Sequence, residues 1–144
     1  MAGLRRHWLA GFCCALLIAG TARAADGFDA FWEGFRNALL EMDIDTLRDA
    51  SRLPVELRGE LDRSPVLRVG VAGLQLRLEE VLQADSGLSL RQPTSNRSMV
   101  ERWTAPLPTG PGLMIGAETA RVGAFGFART SEGWRLVRLY GTTQ

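Results

Sequence analysis

No lysine occurs anywhere in the 144 residues, the single histidine is His7, the only tyrosine is Tyr140, and the two cysteines are neighbours, Cys13 and Cys14. Where these residues lie matters more than how many there are. Residues 1–24 read as a cleavable secretory signal peptide. Arg5, Arg6 and His7 make a short positive start, and Trp8 to Gly20 is an uncharged, apolar run. Ala22-Arg23-Ala24 then supplies the small-x-small pattern that signal peptidase reads, which predicts Ala25 as the mature N-terminus. The run is short for a membrane span, so no stable membrane insertion is expected after cleavage. Cys13 and Cys14 sit inside the run behind Phe12, which argues against a lipoprotein anchor. Arg5-Arg6 loosely resembles a twin-arginine signal, but no cofactor motif follows that calls for folded export. The general route, and a periplasmic or secreted destination, are expected.

Both cysteines and the histidine leave with that leader, so residues 25–144 contain no Cys, His or Lys. This excludes a disulfide, a Cys/His zinc site, and Ser-His-Asp or Cys-His nucleophile systems. Schiff-base chemistry and a lysine-bearing phosphate loop go too. Asp, Glu and Tyr140 are left for proton transfer. No metal or other cofactor is expected. The mature part carries 14 Arg against 16 acidic residues, a net charge of −2. No basic patch interleaved with aromatics is present, so nucleic acid is not an expected partner. The length suits a single domain, residues 25–144, with one core.

What is present begins with an aromatic helix. Phe28, Phe31, Trp32, Phe35, Leu39 and Met42 recur at helical spacing, with Glu33, Arg36, Asn37 and Glu41 largely off that stripe. Asp43 or Asp45 caps a short second helix carrying Leu47 and Ala50, which is predicted to end near Leu53 because Pro54 follows. Pro54–Arg58 reads as a short edge strand. Ser64-Pro65 opens a third helix with Leu67, Val71, Leu74, Leu78, Val81 and Leu82 on one face, weakened early by Gly70 and Gly73. Past Gly87, Leu88 and Leu90 alternate with polar residues, and Met99, Glu101 and Trp103 are read as one face of a further extended run. Arg121–Arg129 and Trp134–Tyr140 flank Thr130-Ser-Glu-Gly133, a hairpin pattern. Helices first and antiparallel strands afterwards predict an α+β fold, the N-terminal helices packed against a curved antiparallel sheet.

Period-two alternation places Trp134, Leu136, Arg138 and Tyr140 on one side of the last strand and Arg135, Val137 and Leu139 on the other. Arg138 thus becomes a charge on an apolar wall. It is expected to hold an anionic ligand group, to snorkel its stem to the rim, or to pair with a helix carboxylate. The candidate pocket is Trp103, Glu101, Trp134, Arg138 and Tyr140, with no catalytic residue assigned.

The opening helix running into Asn37-Ala-Leu-Leu-Glu-Met-Asp-Ile-Asp-Thr-Leu-Arg48, with the closing hairpin Val122–Phe127 to Gly133-Trp-Arg-Leu-Val-Arg138, resembles the nuclear transport factor 2-like (cystatin-like) superfamily. Leu53-Pro54-Val55 is similar to a stretch in its small secreted members of unknown function. The resemblance implies a sheet wrapped around helices into a cone. It covers both catalytic and non-catalytic members, and no family catalytic residue maps onto a matching motif here. The expected function is that of an exported, non-catalytic small-ligand-binding or accessory domain, the ligand being small and anionic. A homodimeric protein-interaction module is the alternative. A lyase or isomerase using a buried carboxylate is the second, with Glu101 as its base.

Overall fold

The aromatic stripe of the first helix organises the molecule. In the computed structural model, which describes residues 22–59, 63 and 65–141, the first helix α1 spans Ala22–Glu41. Residues 1–21, most of the segment expected to be a leader, lie outside the described residues, as does Ser64. Phe28, Trp32, Phe35 and Leu39, spaced by three and four, form one buried face of α1. That face meets Phe127 of the sheet, whose ring lies 5.1–6.1 Å from those of Phe28, Phe31, Trp32 and Phe35. Trp134 adds an edge-on contact to Phe28 at 4.9 Å.

Asp43 caps α2 (Ile44–Asp49) by accepting from the Thr46 backbone N–H. Next come β1 (Ser51–Arg58), β2 (Leu67–Val69) and α3 (Val71–Gln83). Then follow α4 (Asn96–Arg102), β3 (Leu113–Ile115), β4 (Thr119–Val122), β5 (Phe125–Thr130) and β6 (Gly133–Tyr140). The six strands form one sheet in the order β2-β1-β6-β5-β4-β3. Helices cover one face, where Leu74, Leu78, Val81 and Leu82 of α3 join the core; this is the expected α+β architecture.

Four local expectations change. The sheet is mixed, because β1 pairs with β6 in parallel while every other neighbouring pair is antiparallel. α3, α4 and the strands β2 to β5 intervene between those two strands, and no short-range pattern announces a pairing so remote. Consequently β1 is interior rather than an edge, and it starts at Ser51. Pro54 is tolerated there because the β1–β6 register slips between Ser51 and Glu56, so the proline faces an interrupted ladder. The third helix begins after Gly70, since Leu67–Val69 pairs with β1 as a strand. Met99–Trp103 belongs to helix α4 and its C-cap, started by the Ser95 hydroxyl accepting from the Ser98 N–H.

Polar residues beside the aromatic stripe have their own function in the fold. Asp29, Trp32, Glu33 and Arg36 recur at helical spacing and bind backbone of the 100–107 segment. Arg36 donates to the carbonyls of Val100 (2.9 Å) and Glu101 (2.8 Å), and the Trp32 indole to that of Trp103 (2.6 Å). Glu33 and Asp29 accept from the N–H groups of Ala105 and Leu107. The bonds from Arg36 and Trp32 satisfy carbonyls that the end of α4 leaves without intrahelical partners, and the two carboxylates hold the N–H groups of the segment that follows.

Candidate functional site

Strict alternation along β6 fails at one residue. Leu136 is opposite Phe127 of β5, but Arg138 is opposite the adjacent Gly126, so Val137 is inserted as a β-bulge. The bulge reverses the facing of everything after it. Trp134, Leu136 and Leu139 are buried against the helices, whereas Arg138 and Tyr140 are only half-buried, on the opposite, open face.

Registers then align one row of residues across all six strands on that face: Arg68, Glu56, Arg138, Gly126, Arg121 and Met114. Arg58 and Tyr140 form a pair in the next row. Glu56 Oε2 accepts from Arg138 Nε (3.0 Å) and from Arg58 Nε (3.2 Å), and lies 2.9 Å from Arg138 Nη2. Arg138 Nη1 also reaches the Tyr140 hydroxyl at 3.4 Å.

Gly126 has a specific part in this arrangement. A Cβ there would lie 3.2 Å from the Arg138 Cβ and 3.4 Å from Tyr140 Cε2. Without one, the Tyr140 ring leans across β5 to meet Arg121 of β4, whose Cζ sits 3.8 Å from the ring centroid. The result is a shallow depression of about 580 Å3 whose lining includes Met114, Arg121, Gly126, Val137, Arg138 and Tyr140.

Charges in the depression are unequally matched. The Arg138 hydrogen bond holds the Glu56 carboxyl below its usual range, Arg58 adds to the effect, and partial burial opposes it. Arg138 itself is held above its ordinary value, first by the Tyr140 hydroxyl and then by Glu56, against its own desolvation. Arg121, by contrast, makes one hydrogen bond, from Nε to the Gly123 carbonyl at 3.0 Å, and has no carboxylate partner among the described residues.

Because the folded-state value of Glu56 is depressed, its contribution to stability is complete above pH 4.5. It is lost progressively as pH falls below that value, through the folded-state titration. Arg138 and Glu56 are about one-third exposed, 34% and 33% for their side chains, so solvent screens the pair. Arg138→Met is therefore expected to cost no more than about 1 kcal/mol in urea denaturation and to flatten the acid side of the stability profile. A loss of several kcal/mol would mean that the carboxylate is stranded in a dry environment.

The five residues expected from sequence to share a pocket are divided among three places. Arg138 and Tyr140 do meet, but on the open face. Trp134 is buried with Phe28 on the other side of the sheet. Trp103 is also buried, its ring tip packed where a Cβ on Gly123 would come within 2.8 Å; Gly123 has φ 57°, a backbone conformation glycine adopts freely. Glu101 is solvent-exposed and paired with Arg97 at 3.3 Å. In a helix, Met99 and Trp103 are one turn apart while Glu101 points away from both, which is why the extended reading misplaced it. Sequence reasoning missed Glu56, Arg121 and Gly126. A glycine between Phe125 and Phe127 inside a strand is the clue to the last, since such glycines mark close approach.

No protein-family model matches the sequence, and no curated protein matches it. Among solved structures, the chain is similar to a cystatin-like fold protein from Burkholderia xenovorans LB400, at 14% identity and a TM-score of 0.41, covering 82% of this chain and 89% of that one. It is also similar to a protein from Kribbella flavida, at 15% identity and a TM-score of 0.38, covering 83% and 86% respectively. No residue role is carried over from either.

Proposed function

We propose that the mature chain is an exported, non-catalytic binding module that takes an anionic ligand on the open face of its sheet. The carrying observation is the cross-strand row centred on Gly126. Its register brings Arg121, Arg138 and Tyr140 together over a depression of about 580 Å3. The space between helices and sheet is occupied by Phe28, Trp32, Phe35, Phe125, Phe127 and Trp134, all buried. Glu101, the one carboxylate nominated as a base, faces solvent instead. These two features favour recognition over catalysis.

Charge supports the same reading and disfavours the homodimer across this face. In the two rows, the four arginines Arg58, Arg68, Arg121 and Arg138 accompany the single acid Glu56. A second copy laid face to face would set arginine against arginine, whereas an anion is complementary.

Native mass spectrometry of protein purified from its own extracytoplasmic compartment tests the reading. An anionic mass should co-purify with the natural chain and be lost from an Arg121→Ala variant. Retention by that variant, or conversion of the compound by the protein, would overturn the proposal. The same preparation addresses export through N-terminal sequencing. Ala25 is the expected first residue, from Ala22-Arg23-Ala24. A chain starting within its first twenty residues, or held in the membrane fraction, would refute a released protein.

A further inference from the structure

Three facts about the open-face depression narrow the kind of anion, on the premise that the depression is the binding site. The first is the posture of Arg121. Its guanidinium lies over the Tyr140 ring, and its Nε is held by the Gly123 carbonyl. Both contacts orient the group, and they leave its terminal nitrogens without a hydrogen-bond acceptor among the described residues. A planar fork held in this way matches a carboxylate through two parallel N–H···O bonds.

The second fact is that the other guanidinium in the depression is already committed. Arg138 gives Nε and Nη2 to Glu56 and Nη1 to Tyr140, so its charge is answered internally. One oriented cation remains for one head group. The third fact is the composition of the remaining wall. Met114 is 71% exposed beside Arg121 in the row, and Ile115 and Val137 also line the depression. Exposed apolar side chains flanking a single oriented guanidinium suit a ligand with an apolar body, because covering them removes apolar surface from water.

We infer that the ligand is a small amphipathic carboxylate, its head on Arg121 and its apolar tail along Met114 and Val137. The volume falls within the roughly 300–1,000 Å3 typical of small-molecule sites. Screening of an exposed ion pair by salt gives the interaction a marked ionic-strength dependence.

Octanoate is the probe, titrated into the full mature chain at low salt and followed by isothermal calorimetry and backbone-amide NMR shifts. Octanoate should bind, shifting amides of Arg121, Gly126 and Val137, and octan-1-ol and octylammonium should not. Acetate should bind about tenfold or more weakly than octanoate, because it lacks the tail. Arg121→Gln should weaken octanoate by about tenfold or more. Met114→Ser should move octanoate toward acetate. Both side chains are exposed, so unchanged melting temperatures will show that both variants fold. Equal binding of octan-1-ol, or tighter binding of octyl phosphate than of octanoate, would overturn the carboxylate assignment. If octanoate fails while an anionic mass co-purifies in an Arg121-dependent way, the amphipathic carboxylate is wrong and the open-face reading stands. If octanoate binds equally well to Arg121→Gln, or shifts only amides of the helical face, the site itself is wrong.

Discussion

Phe127→Ala should lower the free energy of unfolding by about 3–5 kcal/mol, the range for truncating a fully enclosed aromatic. Phe127 is 2% exposed, and four rings of α1 surround it. Close packing leaves those rings in their rotamer wells, so they cannot all collapse into the vacated volume. Edge-to-face geometry, with interplanar angles of 64–86° to its four partners, adds an aromatic contribution beyond area burial. Equilibrium urea denaturation monitored by tryptophan fluorescence reads the effect directly. Phe35→Ala, on the facing helix and also 2% exposed, should fall in the same range of about 3–5 kcal/mol. The two residues touch, with ring centroids 5.1 Å apart. Their double substitution should therefore cost less than the sum of the single ones, since each single change already removes the shared contact. A loss below about 1 kcal/mol for either would mean the ring is not enclosed.

Arg36→Met should be the most damaging change of a charged residue, at about 1.5–3 kcal/mol. Methionine retains much of the apolar stem, so the loss is chiefly of hydrogen bonds rather than packing. Arg36 is 13% exposed through its side chain, unlike the partly solvated Arg138. Removing it leaves the carbonyls of Val100 and Glu101 without their donors, at the end of a helix whose dipole favours a cation there. Hydrogen exchange should show the amides of α4 losing protection before those of the central strands. Arg36→Lys should recover only part of the loss, because one ammonium nitrogen cannot occupy both the Nε and Nη2 positions that reach the two carbonyls. A loss indistinguishable from that of Arg138→Met would show that solvent replaces the carbonyl partners.

The contrast between these two arginines explains how much of the molecule was legible. Arg36 lies in a polar group of its helix and Arg138 between Val137 and Leu139, and in each case the local pattern suggests the wrong surroundings. Arg36 falls off the aromatic stripe, yet it anchors α4, because the 100–107 segment folds back over that flank. Alternation makes Arg138 a charge on the apolar wall with Trp134 and Leu136, yet the single inserted Val137 puts it on the open face. A one-residue slip exchanges the faces of a strand, so side-chain facing is the property least secure from alternation alone. The same reason dispersed the candidate pocket: Trp134 lies before the bulge, Arg138 and Tyr140 after it. Glu56 could not be linked to Arg138 from sequence, since they meet only through a parallel pairing across 82 residues.

The sequence by itself determined the helix that carries the core, since Phe28, Trp32, Phe35 and Leu39 at helical spacing leave no other compact way to bury four large side chains. It also determined the closing turn, where Thr130 and Gly133 bracket two residues, and the α+β class that follows from helices preceding strands, although the expected first arm Arg121–Arg129 divides at Gly123 into β4 and β5. It restricted the chemistry as well, through the absence of Cys, His and Lys from residues 25–144. Tertiary structure alone decided which face of the sheet is open and which residues meet there. Those outcomes depend on strand register, and register is settled by the packing of whole strands against the core rather than by any residue's own preference.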